Sequence, residues 1–353
     1  MRSVLVVGTG LIGTSVALAL RAADISVFLS DTDASAARLA AEMGAGVVFA
    51  GGGSVELAVL AVPPSAVAGT LSDLQARDAA RFYTDVASVK QLPVSAAVAA
   101  GCDMTSYVPG HPLAGREKHG PAAARADLFL GRSWALCPGP STSSEAVSCV
   151  TSLVSACGAV PVRTDPASHD RWVALISHAP HVVAAAMATR LEHADDAALS
   201  LAGQGLRDVT RIAAGDTVLW TQILSANAVA VASVLDAVAA DLAQAARLLA
   251  DGSGDKVAAL LEGGQAGVAR IPGKHGSAPA EFAVVQVVIR DQPGELSRLF
   301  AAAGAARVNI EDIRIEHSPG LPVGVAELSV RPAEAAALLS ALDAGGWPTR
   351  HFS

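Results

Sequence analysis

The sequence is poor in aromatic residues, cysteines and basic clusters, and each shortage narrows what the protein can be. Phe, Trp and Tyr make up only 4% of 353 residues although 52% are hydrophobic, so the interior is built from alanine and aliphatic side chains and should be rich in helix. Length alone allows two or three domains. Only 25 Lys and Arg face 33 Asp and Glu, a formal charge of -8, and no dense basic run is present to neutralise phosphates. A nucleic-acid surface is therefore excluded. Cys102, Cys137, Cys149 and Cys157 form no C-x-x-C pair and show no zinc spacing with histidine. They read as reduced thiols of a cytoplasmic protein that binds no metal. The first seven residues run directly into a strand and a glycine turn, without a charged region, apolar core and cleavage site, so no signal peptide is expected. One uncharged run, residues 217–235, approaches membrane-spanning length, but polar residues interrupt it and a buried core helix is expected there instead of a membrane contact.

What is present begins at the amino terminus. Ser3-Val4-Leu5-Val6-Val7 is a β-branched run that ends in Gly8-Thr9-Gly10-Leu11-Ile12-Gly13, followed by an alanine-rich helical stretch. The three glycines suit a tight turn, close approach to a pyrophosphate and close helix–sheet packing, with the helix amino terminus facing the anion. Alone the pattern is weak, but a second strand, Ile25 to Leu29, ends in Ser30-Asp31. Asp31 lies where a carboxylate accepts hydrogen bonds from ribose hydroxyls and repels a 2′-phosphate, which favours NAD over NADP. A plainer role for Asp31 is to cap the helix beginning near Ala34. The next strand stops at Val62-Pro63-Pro64, again at the edge where ligands bind in open α/β sheets.

A further strand delivers Asp85-Val86-Ala87-Ser88-Val89-Lys90 to the same edge, and residues 104–109 deliver Gly110-His111-Pro112. Ser88 is suited to hydrogen-bond a substrate or the histidine, and equally to cap the following helix. His111, between a glycine and a proline at a strand end, is the candidate catalytic group. Trp134 to Cys137 and Val160 to Val162 are expected to finish the sheet.

At Thr164-Asp165-Pro166 the pattern turns helical, with Asp165 as cap and Pro166 in the first turn. His178 and His181 share a helical face, and Pro180 between them is expected to kink the helix. Arg207 and Arg211 lie one turn apart. Their mutual repulsion would be reversed by a bound carboxylate, for which arginine offers a bidentate fork, though a solvated face with Asp208 as partner is also consistent. Residues 216–249 read as one long helix or two in series, apolar nearly all round, which suggests a homodimer formed across this region. After a glycine-rich linker, the tail has the order β-α-β-β-α-β of a ferredoxin-like module with no acid–base or nucleophile set. The expected organisation is an α/β dinucleotide-binding domain over 1–164, an all-helical domain over 165–270, a linker over 271–281 and an α+β domain over 282–353.

Together the Gly8–Gly13 turn, Asp85-x-x-Ser88-x-Lys90, Gly110-His111-Pro112-Leu113-Ala114-Gly115-x-Glu117, Ser177-His178-x-Pro180-His181 and Arg207-Asp208-x-Thr210-Arg211-Ile212-Ala213 resemble the prephenate/arogenate dehydrogenase family of tyrosine biosynthesis. The tail resembles an ACT domain, with Asp291-Gln292-Pro293-Gly294-Glu295-Leu296 as its signature loop. The resemblance implies oxidative decarboxylation of prephenate, or of arogenate, with NAD as hydride acceptor. It implies that His111 assists removal of the ring-hydroxyl proton, that Ser88 orients it, and that His181 and Arg211 hold the substrate, with Arg207, His178 and Glu117 beside them. It also implies an amino-acid effector, most plausibly tyrosine, at Asp291, Pro293, Gly294, Asn309 and Ile310. The sequence departs from the family pattern at Ala87 (commonly glycine), Arg116 (often smaller) and Arg207 (commonly lysine). A cation at Arg116 bears on whether a keto acid or an amino acid side chain is preferred. Two other readings compete: a non-catalytic sensor of NAD and amino acids, which would need none of Ser88, His111, His181 and Arg211, and a β-hydroxyacid dehydrogenase, which would carry a lysine-centred helical motif.

Overall fold

The computed structural model describes residues 1–115, 119–271, 282–317 and 322–352. The chain divides into two compact units, Met1–Arg247 and Leu248–Ser353.

In the first unit, strands β1 (Ser3–Val7), β2 (Ser26–Ser30), β3 (Val47–Val48), β4 (Val55–Leu60), β5 (Ala80–Asp85) and β6 (Tyr107–Val108) form one sheet in the order β3-β2-β1-β4-β5-β6. All its pairings are parallel. Helices α1 (Leu11–Ala22), α2 (Ala34–Glu42), α3 (Val67–Ala76) and α4 (Gln91–Ala99) lie on the crossovers, and α5 (Ser144–Ala156) follows. The alternation of β1 sends its side chains into two cores: Val4 and Val6 pack with Val16 and Leu20 of α1, while Leu5 packs with Leu71 and Leu74 of α3. Both faces of the sheet are covered, as parallel sheets require. The strand order reverses between β1 and β4, so a crevice opens where Gly8 follows one strand and Ala61 the other.

The expectation that residues 134–137 and 160–162 finish this sheet is corrected. They form β8 (Ser133–Leu136) and β9 (Val160–Arg163) of a separate three-stranded sheet with β7 (Gly110–Pro112), β7 antiparallel to β8 and β8 parallel to β9. Pro109 is the reason: it has no N–H to continue the β6 ladder, and its carbonyl instead accepts the Cys137 N–H at 2.8 Å. The chain turns there, and His111 enters the site on a new sheet.

Asp165 caps α6 (Pro166–Val173) by accepting the Ser168 N–H at 2.9 Å, with Pro166 at the start. A π-helical turn, Ala174–His178, then joins α6 to α7 (Ala179–Thr189). Pro180 removes one backbone donor, and the wider turn just before it absorbs the irregularity, so Pro166–Thr189 stays one helix. There follow α8 (Asp196–Ser200), α9 (Gln204–Thr210), a 3-10 turn Arg211–Ala214, α10 (Thr217–Ala226) and α11 (Ala228–Ala250). Residues 216–249 are thus two helices in series, broken at Asn227. The expected burial is not met within one chain: of α11 only Val231 is buried, and Val229 is 89% exposed. By length and apolar composition α11 and the Pro166–Thr189 helix would both reach across a membrane.

The second unit carries α12 (Ala258–Val268) and then β10 (Ala283–Arg290), α13 (Glu295–Ala305), β11 (Asp312–His317), β12 (Val323–Val330), α14 (Ala335–Ala344) and β13 (Thr349–Phe352). The four strands form an antiparallel sheet ordered β11-β12-β10-β13. Val285, Val287, Leu299, Leu328, Leu338 and Leu342 make its core. Most of the expected linker, residues 272–281, lies outside the described residues.

All four cysteines are free. Burial pushes the thiols of Cys137 and Cys157 up to about 12 and that of Cys149 to about 11, which keeps them protonated and inert. Loss of the cap in Asp165→Ala should lower stability by about 1 kcal/mol. A lower urea midpoint at unchanged slope is the expected reading.

Candidate active site

The glycine turn separates into two kinds of requirement. Gly8 has φ +96°, and a Cβ there would sit 2.2 Å from the Ala61 carbonyl oxygen; a Cβ on Gly13 would sit 1.9 Å from the Gly8 oxygen. The protein itself therefore demands glycine at both. Gly10 differs: a Cβ there would meet no heavy atom within 4 Å. It is the N-cap of α1 and makes no side-chain cap, leaving amino-terminal amides to be satisfied from outside. The open cradle is what a pyrophosphate needs, and the residues present fit a dinucleotide. Leu11 and Ile12 start the helix, half-buried.

Asp31 closes this side. Its Oδ2 accepts the Thr9 N–H at 2.5 Å and the Thr9 hydroxyl at 2.9 Å, and its Oδ1 accepts the Asp33 N–H at 2.9 Å. The alternative role as helix cap belongs to Asp33, which accepts the Ser35 N–H. Val62 is half-buried and Pro63 exposed just beyond β4.

His111 does not stand alone. Its Nδ1 lies 2.9 Å from Nε2 of His169, whose Nδ1 lies 2.8 Å from Oδ1 of Asp170. The carboxylate can only accept, so His169 donates from Nδ1; a neutral His169 then presents a lone pair at Nε2, to which His111 donates from Nδ1, leaving a lone pair on its own Nε2. Burial works against the Asp170 charge. Hydrogen bonds from His169 and from the Gln91 and Lys90 amides outweigh it and hold the carboxyl below the usual range. Burial, together with His169, Lys90 and His178, holds His111 well below its ordinary value, so the ring is neutral at pH 7. This is the protonation state of a general base.

The same region contains a second buried network. Lys90 and Asp85, both 0% exposed, form an ion pair. Lys90 Nζ also donates to the Gly110 carbonyl at 2.6 Å. Asp85 accepts the Tyr107 hydroxyl at 2.6 Å, the Ala87 N–H at 2.9 Å and, at 3.4 Å, the Gly110 N–H. Half-buried Ser88 follows Ala87 and His111 follows Gly110. Ser88 is not the cap of α4; Asp170 takes that place across 80 residues, accepting the Lys90 N–H at 2.8 Å and the Gln91 N–H at 2.9 Å.

The helical wall presents His178 and His181. Asn227, at the break between α10 and α11, donates to the Asp170 carbonyl at 2.8 Å and lies 3.2 Å from His178 Nδ1. Burial pushes His178 down to about 4. His181 is stacked on Trp220, ring centroids 3.6 Å apart, and its buried Nδ1 has no partner among the described residues. Gly215 permits this stack, since a Cβ there would meet both rings within 3 Å. Arg207, in the last turn of α9, and Arg211, at the junction with the 3-10 turn, are exposed. Asp208 is bonded to Gln204 at 2.8 Å. Among the described residues, no group of three or more His, Cys, Asp and Glu is arranged to hold a metal.

Glu117 and Arg116 lie outside the described residues. The expected effector residues are in the second unit. The Asp291 N–H donates to Pro322 O at 2.9 Å, Pro293 is exposed, Gly294 caps α13 at φ +89°, Asn309 donates to Glu311 at 2.8 Å, and Ile310 packs on the module's core. Sequence reasoning missed His169, Asp170, Asn227 and Trp220. Ser168-His169-Asp170, three polar residues just inside a capped helix, was the available signal for the first two.

A neutral, hydrogen-bonded histidine beside a nucleotide-binding sheet and a helical wall fits a dehydrogenase of the two-part kind. The chain belongs to the prephenate dehydrogenase family: residues 16–163 match the prephenate dehydrogenase nucleotide-binding domain and residues 165–263 the prephenate dehydrogenase dimerization domain. It is 40% identical over 360 residues, 99% of each chain, to the probable prephenate dehydrogenase NovF of Streptomyces niveus. The crystal structure of Synechocystis arogenate dehydrogenase is 27% identical with a TM-score of 0.63, covering 75% of this chain and 98% of that one. Prephenate dehydrogenase from A. aeolicus, crystallised with hydroxyphenyl propionate and NAD+, is 24% identical and shares the fold at a TM-score of 0.69 over 77% of this chain and 98% of that one.

Gly10→Ala is expected to leave thermal stability unchanged and weaken NAD binding, whereas Gly8→Ala should lower the melting temperature itself; calorimetry and nucleotide titration separate the two. Asp170→Asn removes the charge at the end of the relay and should lower kcat by on the order of 100-fold with NAD affinity nearly retained.

Proposed function

We propose that the protein is a cytoplasmic prephenate dehydrogenase that converts prephenate to 4-hydroxyphenylpyruvate with NAD, as a step of tyrosine biosynthesis. The observation that carries this reading is the His111–His169–Asp170 relay. NAD, when bound, supplies the hydride acceptor. Gly8, Gly10, Leu11, Ile12 and Gly13 with Asp31 would hold it, Val62, Pro63 and Ser88 flanking the nicotinamide end.

His111 Nε2 takes the proton from the ring hydroxyl. The positive charge that develops on the imidazole is shared through Nδ1–H with His169 and offset by the Asp170 carboxylate, and this support grows as the proton moves. Ser88 orients the hydroxyl. His181, with its unpartnered Nδ1, and Arg211 bind the carboxylates of the dianion, and Arg207, His178 and Glu117 complete that wall. Arogenate differs in the side chain and would use the same base. The exposed apolar face of α11, with the family's dimerization domain over this region, supports a homodimer. The tail is assigned as an ACT module that binds an aromatic amino acid, tyrosine foremost, through Asp291, Pro293, Gly294, Asn309 and Ile310. Domain limits of 1–164, 165–270 and 282–353 accompany this reading.

The test follows reduced-cofactor absorbance with NAD and prephenate, then arogenate, each with and without tyrosine. Turnover of prephenate is expected, and its absence with both substrates would remove the assignment. His111→Asn should lower kcat by on the order of 100-fold or more while NAD binding persists. Arg211→Ala should chiefly raise KM for prephenate. In the parent enzyme kcat/KM should fall only at a pH below the ordinary histidine range, because burial and the neighbouring groups hold His111 neutral down to that point.

A further inference from the structure

The Lys90–Asp85 pair has no reactant to touch, yet it lies beneath both halves of the catalytic edge. Two ionised groups without solvent exposure contribute little net stability compared with well-packed apolar residues, because desolvation opposes their attraction. Packing alone does not explain them. Their partners suggest a different role. Asp85 holds the Ala87 N–H, one residue before Ser88; Lys90 holds the Gly110 carbonyl, one residue before His111. Tyr107, at the end of the neighbouring strand β6, fixes the remaining carboxylate oxygen of Asp85. The Lys90 backbone N–H, moreover, is one of the two amides on which the Asp170 carboxylate rests.

We propose that Lys90 is a positioning residue of this site: its buried ammonium, clamped between Asp85 and the Gly110 carbonyl, holds the Ser88 turn and the His111 strand in one rigid frame. The inference rests on the dehydrogenase reading above. A rigid frame matters because displacing a base by about 1 Å can cost on the order of 100-fold in rate. Pro109 gives the frame its necessity. It separates β6 from β7, so no continuous ladder fixes His111 relative to β5, and the side chains of Lys90, Asp85 and Tyr107 supply that connection.

The charge has a second consequence. Around His111, among the described residues, the titratable groups are His169 with Asp170 behind it, His178, and Lys90 with Asp85 behind it. Lys90 is the fixed cation of this set and disfavours a second positive charge on His111. Removing it makes His111 easier to protonate, so the acid limb of kcat/KM moves to higher pH.

The test compares the parent enzyme with Lys90→Met/Asp85→Asn, which removes both charges together and keeps an acceptor for Tyr107. The expected result is a melting temperature within a few degrees of the parent, kcat lower by on the order of 100-fold and KM for NAD within about twofold. Retention of kcat within about threefold overturns the proposal. Should the double variant fail to fold, Tyr107→Phe decides, since it deletes one hydroxyl and no charge. A severalfold loss of kcat with an unmoved acid limb supports the frame, and unchanged kcat rejects it. A parent enzyme inactive on both prephenate and arogenate would instead reject the dehydrogenase reading on which the inference stands.

Discussion

One buried carboxylate organises the site. Asp170 accepts the first two amides of α4 from the nucleotide-binding part and the Nδ1–H of His169 from its own helix, while its carbonyl receives Asn227 from the helical wall. A charge with no solvent contact persists only when hydrogen bonds replace its water. Here three do, and two come from a helix amino terminus, whose dipole favours an anion. The same bonds that keep Asp170 ionised also join two parts of the chain, so ionisation and docking depend on one another. Tautomer selection follows outward from that charge to His169 and then to His111.

Two networks, not one, therefore support His111. The Asp170 relay determines which nitrogen of His111 carries a proton, and the Asp85–Lys90–Tyr107 cluster constrains where the ring can be. They meet at residue 90, whose amide serves the first and whose ammonium serves the second. In an interior made largely of alanine and aliphatic residues, little bulky packing is available to immobilise a histidine ring. Polar contacts of defined direction take over that role. They are more demanding than packing, since a half-satisfied network is worse than none.

The fold was legible wherever a pattern is local. The glycine turn after β1, the carboxylate after β2, the Asp165-Pro166 helix start and the strand–helix order of the tail are all short-range signals, and each appears in the structure as a discrete element. What escaped is long-range. Pro109 splits a sheet that strand counting would extend, but only the new partner, Cys137, shows where the chain goes. His169 and Asp170 looked like ordinary first-turn polar residues, and their role arises from contact with residues 58 and 80 positions away. Trp220, inside a run that reads as apolar core, became a stacking surface because Gly215 leaves room for His181. The apolarity of α11 was legible too: its face is exposed in the single chain, and only the expectation of a core helix buried within that chain failed.

The distribution of charge across the site imposes a direction on its chemistry. On the nucleotide side stand Asp31 and the bare amides of the glycine turn; on the helical side stand the arginines Arg207 and Arg211; between them burial holds His111 and His178 below the ordinary histidine value. His111 is neutral because burial, His169 and Lys90 keep it so, and the Asp170 carboxylate lies one imidazole behind it. His169, between them, links that carboxylate to His111 only while helix α6 stays docked on α4.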